Sequence, residues 1–245
     1  MAETFLSGAE FDLPPYDGKP RITYMICSTG RSGSTLLCSL LTNTGVMGVP
    51  HEYFNLSRHG QFLIKRLNSD AEKGIPIDVY FDAIVRHRTS PNGVFGIKAH
   101  INQCLRHYES GFISSYFGEI KHVFMRRRDS LGQAISLVIA SQTGKWTSHE
   151  KSAAEPVYSR EAIEKSLALT AYYDGLWDQF FAQNKIEPCR IFYEDILAKP
   201  NEEIQRVVDF VGVDVKVAIN LEQAGLSREA TSLNEEWRDR FNAGS

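Results

Sequence analysis

Residues 22–41 read ITYMICSTGRSGSTLLCSLL, and the three elements that they predict decide the fold. Ile22 to Cys27 is a short apolar run rich in β-branched and aromatic residues, which predicts a strand. The small polar residues from Ser28 to Gly33 predict a turn. Leucines at helical spacing between Ser34 and Asn43, with Gly45 shortly after, predict a helix.

The rest of the chain repeats this alternation of strand and helix. Further strands are predicted at Val46–Val49, Gly93–Lys98, Lys121–Met125 and Cys189–Tyr193, and further helices at Arg58–Leu67, Ile77–His87, Ser130–Gln142, Glu161–Asn184 and Asn201–Val211. Such an order predicts an α/β fold with a central parallel sheet covered by helices on both faces. No repeat or linker divides the chain, so we expect residues 1–21 to form an N-terminal surface arm and residues 22–245 a single domain.

The net charge of the chain bears on which molecules it can bind. The 245 residues contain 27 Lys and Arg against 30 Asp and Glu, a net charge of −3. This argues against electrostatic binding of nucleic acid or of an anionic membrane, so any bound anion must be held by a local cluster. The apolar runs are shorter than the roughly 20 residues of a membrane span. The first 18 residues carry acids and Pro-Pro, which is not a signal-peptide pattern.

Cysteine and histidine usage indicates the compartment and the cofactor class. Cys27, Cys38, Cys104 and Cys189 form no C-x-x-C pair and have apolar neighbours. This favours buried free thiols in a reducing cytoplasm. No group of His, Cys, Asp and Glu has the spacing of metal ligands, so no metal is expected.

The turn after the first strand is a candidate phosphate-binding loop, because parallel sheets bind ligands beyond the carboxyl ends of their strands. Glycines permit a tight turn with inward N–H groups, a helix N-terminus adds partial positive charge, and an arginine adds a forked donor. The residues predicted to bind the anion are Gly30, Arg31, Ser32, Gly33, Ser34 and Thr35. An ordinary turn with a serine cap is the alternative interpretation.

Two better-known loop motifs do not match this turn. A Walker A loop needs a lysine after its last glycine, and Ser34 occupies that position. The hydrolase elbow G-x-S-x-G needs a glycine at the same position. Nucleoside triphosphatases use the missing lysine to hold the terminal phosphates. The loop is therefore predicted to bind a 5′-phosphate and not a triphosphate.

A second candidate anion site follows the strand predicted at Lys121–Met125. Arg126, Arg127 and Arg128 come directly after it, at the edge where ligands bind. Ser136 falls outside the apolar stripe of the next helix, so Arg128 and Ser136 are predicted to hold one anion jointly. The alternative is a surface serine beside a solvated arginine. Two anion sites at neighbouring strand ends predict a ligand with two separated phosphate groups.

Several motifs together resemble the sulfotransferases that use 3′-phosphoadenosine 5′-phosphosulfate (PAPS), in particular the bacterial branch typified by trehalose 2-sulfotransferase. The motifs that carry the resemblance are Thr29–Leu37 (TGRSGSTLL), Gly48–Phe54 (GVPHEYF), Arg126–Asp129 (RRRD), Gln133–Leu137 (QAISL), Gln142–Trp146 (QTGKW), Phe192–Ile196 (FYEDI) and Asn234–Trp237 (NEEW). Their order and spacing extend over roughly residues 22 to 241. The resemblance implies a P-loop-like sulfotransferase fold, PAPS as co-substrate, and nucleotide contacts from Arg128, Ser136 and Tyr193.

The resemblance also implies roles in catalysis. Glu52 matches the general base of the trehalose branch, whereas His100, in Lys98-Ala99-His100, matches the base of the cytosolic branch. We expect Glu52 to be the base, with His100 as its rival. Arg31 is expected to stabilise the leaving phosphate, and Lys98 the sulfuryl oxygens. The acceptor is expected to be a small hydroxylated molecule such as a saccharide, and a homodimer is expected because a partner completes the acceptor site in the trehalose branch.

Two other functions remain compatible with these residues. A nucleotide-dependent phosphotransferase would need magnesium and ATP, and the absent Walker lysine argues against it. A non-catalytic sensor of the 3′,5′-bisphosphate nucleotide would use the same two anion sites without transferring a group.

Overall fold

The computed structural model describes residues 6–56, 63, 76–146, 152–221 and 232–244. Four strands form one sheet: β1 (Ile22–Ser28), β2 (Val94–His100), β3 (Ile120–Arg126) and β4 (Cys189–Phe192). Their order is β2-β1-β3-β4 and every pairing is parallel. Ser28 pairs with His100 on one side and with Met125 on the other, so the carboxyl ends of three strands lie side by side.

Helices cover both faces of this sheet, which confirms the predicted α/β class. They are α1 (Ser34–Asn43), α2 (Ile77–Arg88), α3 (Ile101–Glu109), α4 (Phe112–Phe117), α5 (Ser130–Thr143), α6 (Arg160–Asn184), α7 (Tyr193–Ala198), α8 (Pro200–Val211) and α9 (Ser232–Asn242). On β1, Tyr24 and Ile26 pack into one apolar core, and Met25 and Cys27 into the other. A strand covered on both faces is apolar at every position, as this one is.

The prediction of a strand at Val46–Val49 is wrong. This stretch is irregular, and a single bridge joins His51 to Ile97 of β2. Gly48 has φ +65°, which is not the extended conformation of a strand, and a Cβ there would lie 2.7 Å from the carbonyl oxygen of Val94, so the position requires glycine. The bridge nevertheless places Glu52, the next residue, beside the end of β2.

Other differences concern helices. Tyr193 begins α7 and does not end the preceding strand. The patterns did not predict α3, α4, α7 or α9; α3 starts directly after β2, where His100 and Gln103 form a capping box in place of a turn. The helix predicted at Arg58–Leu67 lies outside the described residues, apart from Leu63.

Arg88 anchors the described part of the N-terminal arm. Its side chain is completely buried and donates to the carbonyl oxygens of Leu6, Ser7 and Gly8. Asp12 forms an ion pair with the same guanidinium at 3.0 Å. Because a buried arginine needs partners for its charge and its N–H groups, the arm stabilises this side chain through the two terminal nitrogens, whereas the buried Nε has no hydrogen-bond partner among the described residues.

In the part of the chain that the structure describes, no helix is both long and apolar enough to cross a membrane.

A buried histidine makes the stability of the fold depend on pH. His122 lies in β3 with its Nε2 2.8 Å from the Tyr108 hydroxyl, and burial lowers its pKa from 6.5 to about 4. Between these two values the unfolded chain binds the proton more tightly than the folded one, so stability falls as the pH falls from 6.5 towards 4. We expect His122→Gln to remove about 2 kcal/mol of the stability loss between pH 7 and pH 5, measured by urea unfolding. Identical pH slopes in the two proteins would contradict this assignment.

Candidate functional site

The loop between β1 and α1 has a backbone that only certain residues permit. Gly33 has φ +91°, and a Cβ added there would lie 2.4 Å from Cδ2 of Tyr193. Arg31 has φ +61°, an unusual value for a residue other than glycine. The structure therefore places Tyr193, which the sequence assigned to nucleotide binding, directly against the loop.

Two helices hold this loop from behind. Thr29 donates its hydroxyl to Asp174 Oδ1 of α6 at 3.2 Å and accepts from Gln133 Nε2 of α5 at 3.0 Å. Gln133 also donates to the carbonyl of Gly30 at 2.8 Å, and Trp177 Nε1 donates to the carbonyl of Ser28 at 3.2 Å. These hydrogen bonds fix the loop backbone before any ligand arrives.

The sequence analysis missed these supporting residues. Gln133 is 1% exposed and Asp174 is 8% exposed, so both are buried polar groups that need partners. Burial raises the pKa of Asp174, while the neighbouring Arg126 guanidinium opposes that change. A polar residue on an otherwise apolar helix face is the sequence signal that could have indicated Gln133 and Asp174. The periodicity of the helix does not say which loop such a residue supports.

The hydroxyl of Ser32 fits the predicted anion. Ser32 is completely buried, and among the described residues none makes a hydrogen bond to its Oγ. A buried hydroxyl without a partner is unfavourable by about 1–3 kcal/mol, so a ligand oxygen at this position would be stabilising. Gly33 and the helix N-terminus that follows give the same loop the shape and the partial charge that phosphate requires.

Arg31 extends from the loop towards α5. Its Nε donates to Ser136 Oγ at 2.9 Å, and its NH1 donates to the carbonyl of Trp146. The sequence predicted that Ser136 would share an anion with Arg128. In the structure the hydroxyl of Ser136 instead faces the loop and its arginine, so an anion bound there would meet both residues.

Arg128 has a different partner. Its guanidinium makes two parallel hydrogen bonds to Asp195, of 2.7 and 2.8 Å, and lies 4.1 Å from the ring centre of Phe192. The side chain is half-exposed, so a ligand can approach it. No described contact joins Arg128 to Ser136, and their joint anion site stays a prediction.

Glu52, Lys98 and Thr35 form one contact chain at the ends of the strands. Lys98 Nζ lies 3.1 Å from Oγ1 of Thr35, in the first turn of α1, and 2.8 Å from Glu52 Oε1. The other carboxylate oxygen of Glu52 accepts from Asn55 at 3.0 Å and from Gln103 at 2.9 Å. Both ends of the ion pair are largely buried, which strengthens its electrostatic interaction.

His100 lies beside this ion pair with a defined tautomer. Its Nδ1 is 2.8 Å from the carbonyl oxygen of Ser28, which only accepts, so Nδ1 carries the proton. Burial lowers the pKa of His100, against the opposing effect of Glu52, and the ring is neutral at pH 7. Its Nε2 then presents a lone pair 3.8 Å from Glu52 Oε1.

The cluster can bind a hydroxyl group and accept its proton. Glu52 Oε1 and His100 Nε2 are two acceptors on neighbouring positions, and a hydroxyl donates to one acceptor at a time. Lys98 supplies a positive charge between these acceptors and the anion loop. Among the described residues, no group of three or more His, Cys, Asp and Glu could hold a metal ion.

Comparisons with known proteins agree with this geometry. Residues 23–244 match the family described as Stf0 sulphotransferase. A protein of Mycobacterium tuberculosis (strain Erdman) named trehalose 2-sulfotransferase is 30% identical over 254 residues, covering 90% of this chain and 94% of its own. A protein of the same name from Mycolicibacterium smegmatis is 26% identical, covering 89% and 93%.

A solved structure supports the fold. The sulfotransferase domain of the Synechococcus PCC 7002 olefin synthase matches 91% of this chain and 90% of its own, with a TM-score of 0.50 and 18% identity. At that identity the likeness bears on the fold alone, and it confirms the α/β class predicted from the alternation of elements.

The geometry of the loop predicts the effect of a single methyl group. Gly33→Ala should destabilise the protein by about 1–3 kcal/mol, because the positive φ and the ring of Tyr193 both oppose a Cβ. It should also abolish binding of 3′-phosphoadenosine 5′-phosphate in a calorimetric titration. Gly175→Ala is the matched control: Gly175 lies inside α6 with nothing within 4 Å of an added Cβ, and alanine should stabilise that helix slightly. Equal behaviour of the two variants would contradict the loop assignment.

Proposed function

The chain belongs to the Stf0 sulphotransferase family, and we propose that it transfers a sulfuryl group from PAPS to a hydroxyl of a small acceptor. One observation carries the proposal. Lys98 Nζ contacts both Thr35, in the first turn of the helix that follows the candidate anion loop, and the candidate base, Glu52. A donor bound in the loop and a hydroxyl held by Glu52 would therefore meet at one ammonium group.

Residues of the loop, together with Arg128 and Tyr193, would hold the donor. The buried Ser32 hydroxyl, the Gly33 turn and Arg31 would bind the 5′-phosphate end. Arg128, which is already oriented by Asp195, would bind the 3′-phosphate, and Tyr193 would lie against the nucleotide. The donor supplies an electrophilic sulfur and a phosphate leaving group, and no metal is needed to neutralise charge where arginine and lysine are already in place.

We assign the general base to Glu52. The acceptor oxygen forms a bond to sulfur, the bond from sulfur to the 5′-phosphate oxygen breaks, and the hydroxyl proton goes to Glu52 Oε1. Lys98 lies 2.8 Å from that oxygen and would stabilise negative charge on the sulfuryl oxygens. As the acceptor binds, His100 Nε2, a neutral acceptor 3.8 Å away, would accept the hydrogen bond of the same hydroxyl, which then turns to Glu52 for proton transfer.

The proposal also covers the acceptor, the cellular compartment and the oligomeric state. The relatives named trehalose 2-sulfotransferase lead us to propose a saccharide, with trehalose as the first compound to try. All four cysteines are buried free thiols, which supports a reducing cytoplasm. The resemblance to the trehalose branch supports a homodimer, which sedimentation of the full chain tests directly.

The assignment of the base makes one substitution decisive. Glu52→Gln should lower the turnover of radiolabelled sulfate transfer by about 10²–10⁴, because the amide cannot accept the proton. The affinity for 3′-phosphoadenosine 5′-phosphate should be unchanged, which would show that the loop is intact. His100→Asn is the matched variant: the amide can keep the hydrogen bond to Ser28 but lacks the acceptor at Nε2.

The two variants separate the rival bases. A moderate loss in His100→Asn supports an orienting role. A near-normal rate in Glu52→Gln together with a collapse in His100→Asn would move the base to His100. Transfer that persists in EDTA supports sulfuryl transfer, whereas a strict requirement for magnesium and ATP would indicate a phosphotransferase.

The second anion site is tested by its selectivity for the 3′-phosphate. Arg128→Ala should weaken binding of 3′-phosphoadenosine 5′-phosphate by roughly 10- to 100-fold, because it removes charge-assisted hydrogen bonds, and should leave the affinity for adenosine 5′-phosphate unchanged. Asp195→Asn is the control, because it frees Arg128 from its present partner and should keep or increase the affinity. Equal affinity of Arg128→Ala and wild type for the bisphosphate would remove Arg128 from the site.

A further inference from the structure

A groove of about 470 Å³ is bordered by the two amides that hold the carboxylate of Glu52. Its lining residues are Phe54, Asn55, Leu56, Asn102, Gln103 and Arg106. Asn55 and Gln103 are also the two amides that donate to Glu52 Oε2, at 3.0 and 2.9 Å. The same two amides therefore border the groove and hold the candidate base, which is not itself part of the lining, so a molecule in the groove has these amides between it and Glu52 Oε2.

Arg106 contributes a positive charge to this groove. It lies three residues after Gln103 on α3, so the two side chains are on the same face of the helix. Its Nε donates to Nε2 of His107 at 3.2 Å, and the His107 ring lies 5.0 Å from that of Phe54. An imidazole that accepts at Nε2 is neutral; partial burial and the charge of Arg106 both lower the pKa of His107. His107 thus orients the guanidinium without neutralising it.

The absence of a carboxylate partner distinguishes Arg106 from most described arginines. The arginines that form ion pairs with a carboxylate are Arg86, Arg88, Arg126, Arg127, Arg128, Arg160, Arg190, Arg206, Arg238 and Arg240. Within the described ranges, Arg106 hydrogen bonds to His107 alone. Both terminal nitrogens of its guanidinium thus remain available, and they have the fork geometry that matches a carboxylate or a phosphate.

We propose that the acceptor carries an anionic group, a carboxylate or a phosphate, which Arg106 binds while an acceptor hydroxyl faces Glu52. This inference rests on the proposed sulfotransferase function and specifies its substrate class. The Asn102 amide suits another hydroxyl of a sugar, and Phe54 and Leu56 provide an apolar wall, whereas Asn55 and Gln103 already donate to Glu52. Because Lys98 and Glu52 neutralise each other, Arg106 is the charge that selects the acceptor.

The experiment compares acceptors that differ only in an anionic group. Sulfate transfer by the full chain is measured with trehalose against trehalose 6-phosphate, and with a methyl glucoside against the corresponding methyl glucuronide. We expect the anionic member of at least one pair to have the higher kcat/KM. Arg106→Gln should lower kcat/KM for that acceptor by about 10- to 100-fold, mainly through KM, and should leave its neutral twin unaffected.

Two further variants make the result specific. Arg106→Lys keeps the charge but loses the fork, so it should restore only part of the preference. Arg86→Gln is the matched control: Arg86 is an exposed arginine on α2, paired with Asp17 and not part of the groove lining, and its loss should change the kcat/KM of neither acceptor. Binding of trehalose 6-phosphate and of the glucuronide, titrated calorimetrically with 3′-phosphoadenosine 5′-phosphate present, gives a readout that does not depend on turnover.

The outcomes separate this inference from the function on which it rests. Equal kcat/KM for both members of each pair, or equal anion binding by wild type and Arg106→Gln, would overturn the anionic acceptor and leave the sulfotransferase standing. If no acceptor is sulfated, the proposed function fails, and the titrations alone decide whether Arg106 binds an anion. Loss of anion binding in Arg106→Gln supports the Arg106 site, and unchanged binding rejects it.

Discussion

The ion pair between Lys98 and Glu52 is the interaction on which the site depends. Its 2.8 Å contact lies in a largely buried position, where removing one partner would leave an unpaired charge. Lys98 also lies 3.1 Å from Thr35 in the first turn of α1. A single lysine at the end of β2 thus sets the position of the candidate base relative to the candidate anion loop, and parallel register keeps both at the same edge of the sheet.

Burial of polar groups explains how the loop keeps an unusual backbone. Thr29, Gln133 and Asp174 satisfy one another's hydrogen bonds behind the loop, so its positive φ angles are held by packing from two helices. Ser32 is the exception, since its buried Oγ has no partner among the described residues. The loop is therefore rigid where it faces the protein and unsatisfied where it would face a ligand, which is what a preorganised anion site requires.

Two arginines near the carboxyl edge of the sheet differ in their partners: one is paired with a carboxylate, and the other has no such partner in the described part of the chain. Arg128 and Asp195 form a preoriented pair that an anion can approach, because the arginine is half-exposed. Arg106 is oriented by a neutral histidine and keeps its charge. Arg128 follows β3 and Arg106 lies on the helix that follows β2, so the proposed nucleotide and the proposed acceptor would be selected by separate cations. A net charge of −3 over the whole chain does not reveal this local division.

The sequence by itself determined the class of the fold and the identity of the chemical groups. Apolar runs such as Ile22 to Cys27, stopped by a glycine-containing turn, indicate a parallel sheet because local periodicity and turn chemistry reside in neighbouring residues. The same reasoning failed at Val46–Val49, where Gly48 has a positive φ and the backbone is not extended, and it did not anticipate Gln133 and Asp174. Only the tertiary structure decided that Ser136 faces Arg31, that Arg128 faces Asp195, and that Glu52 meets Lys98. Side-chain partners distant along the chain depend on how strands align and helices pack, and a linear pattern of residue types does not contain that alignment.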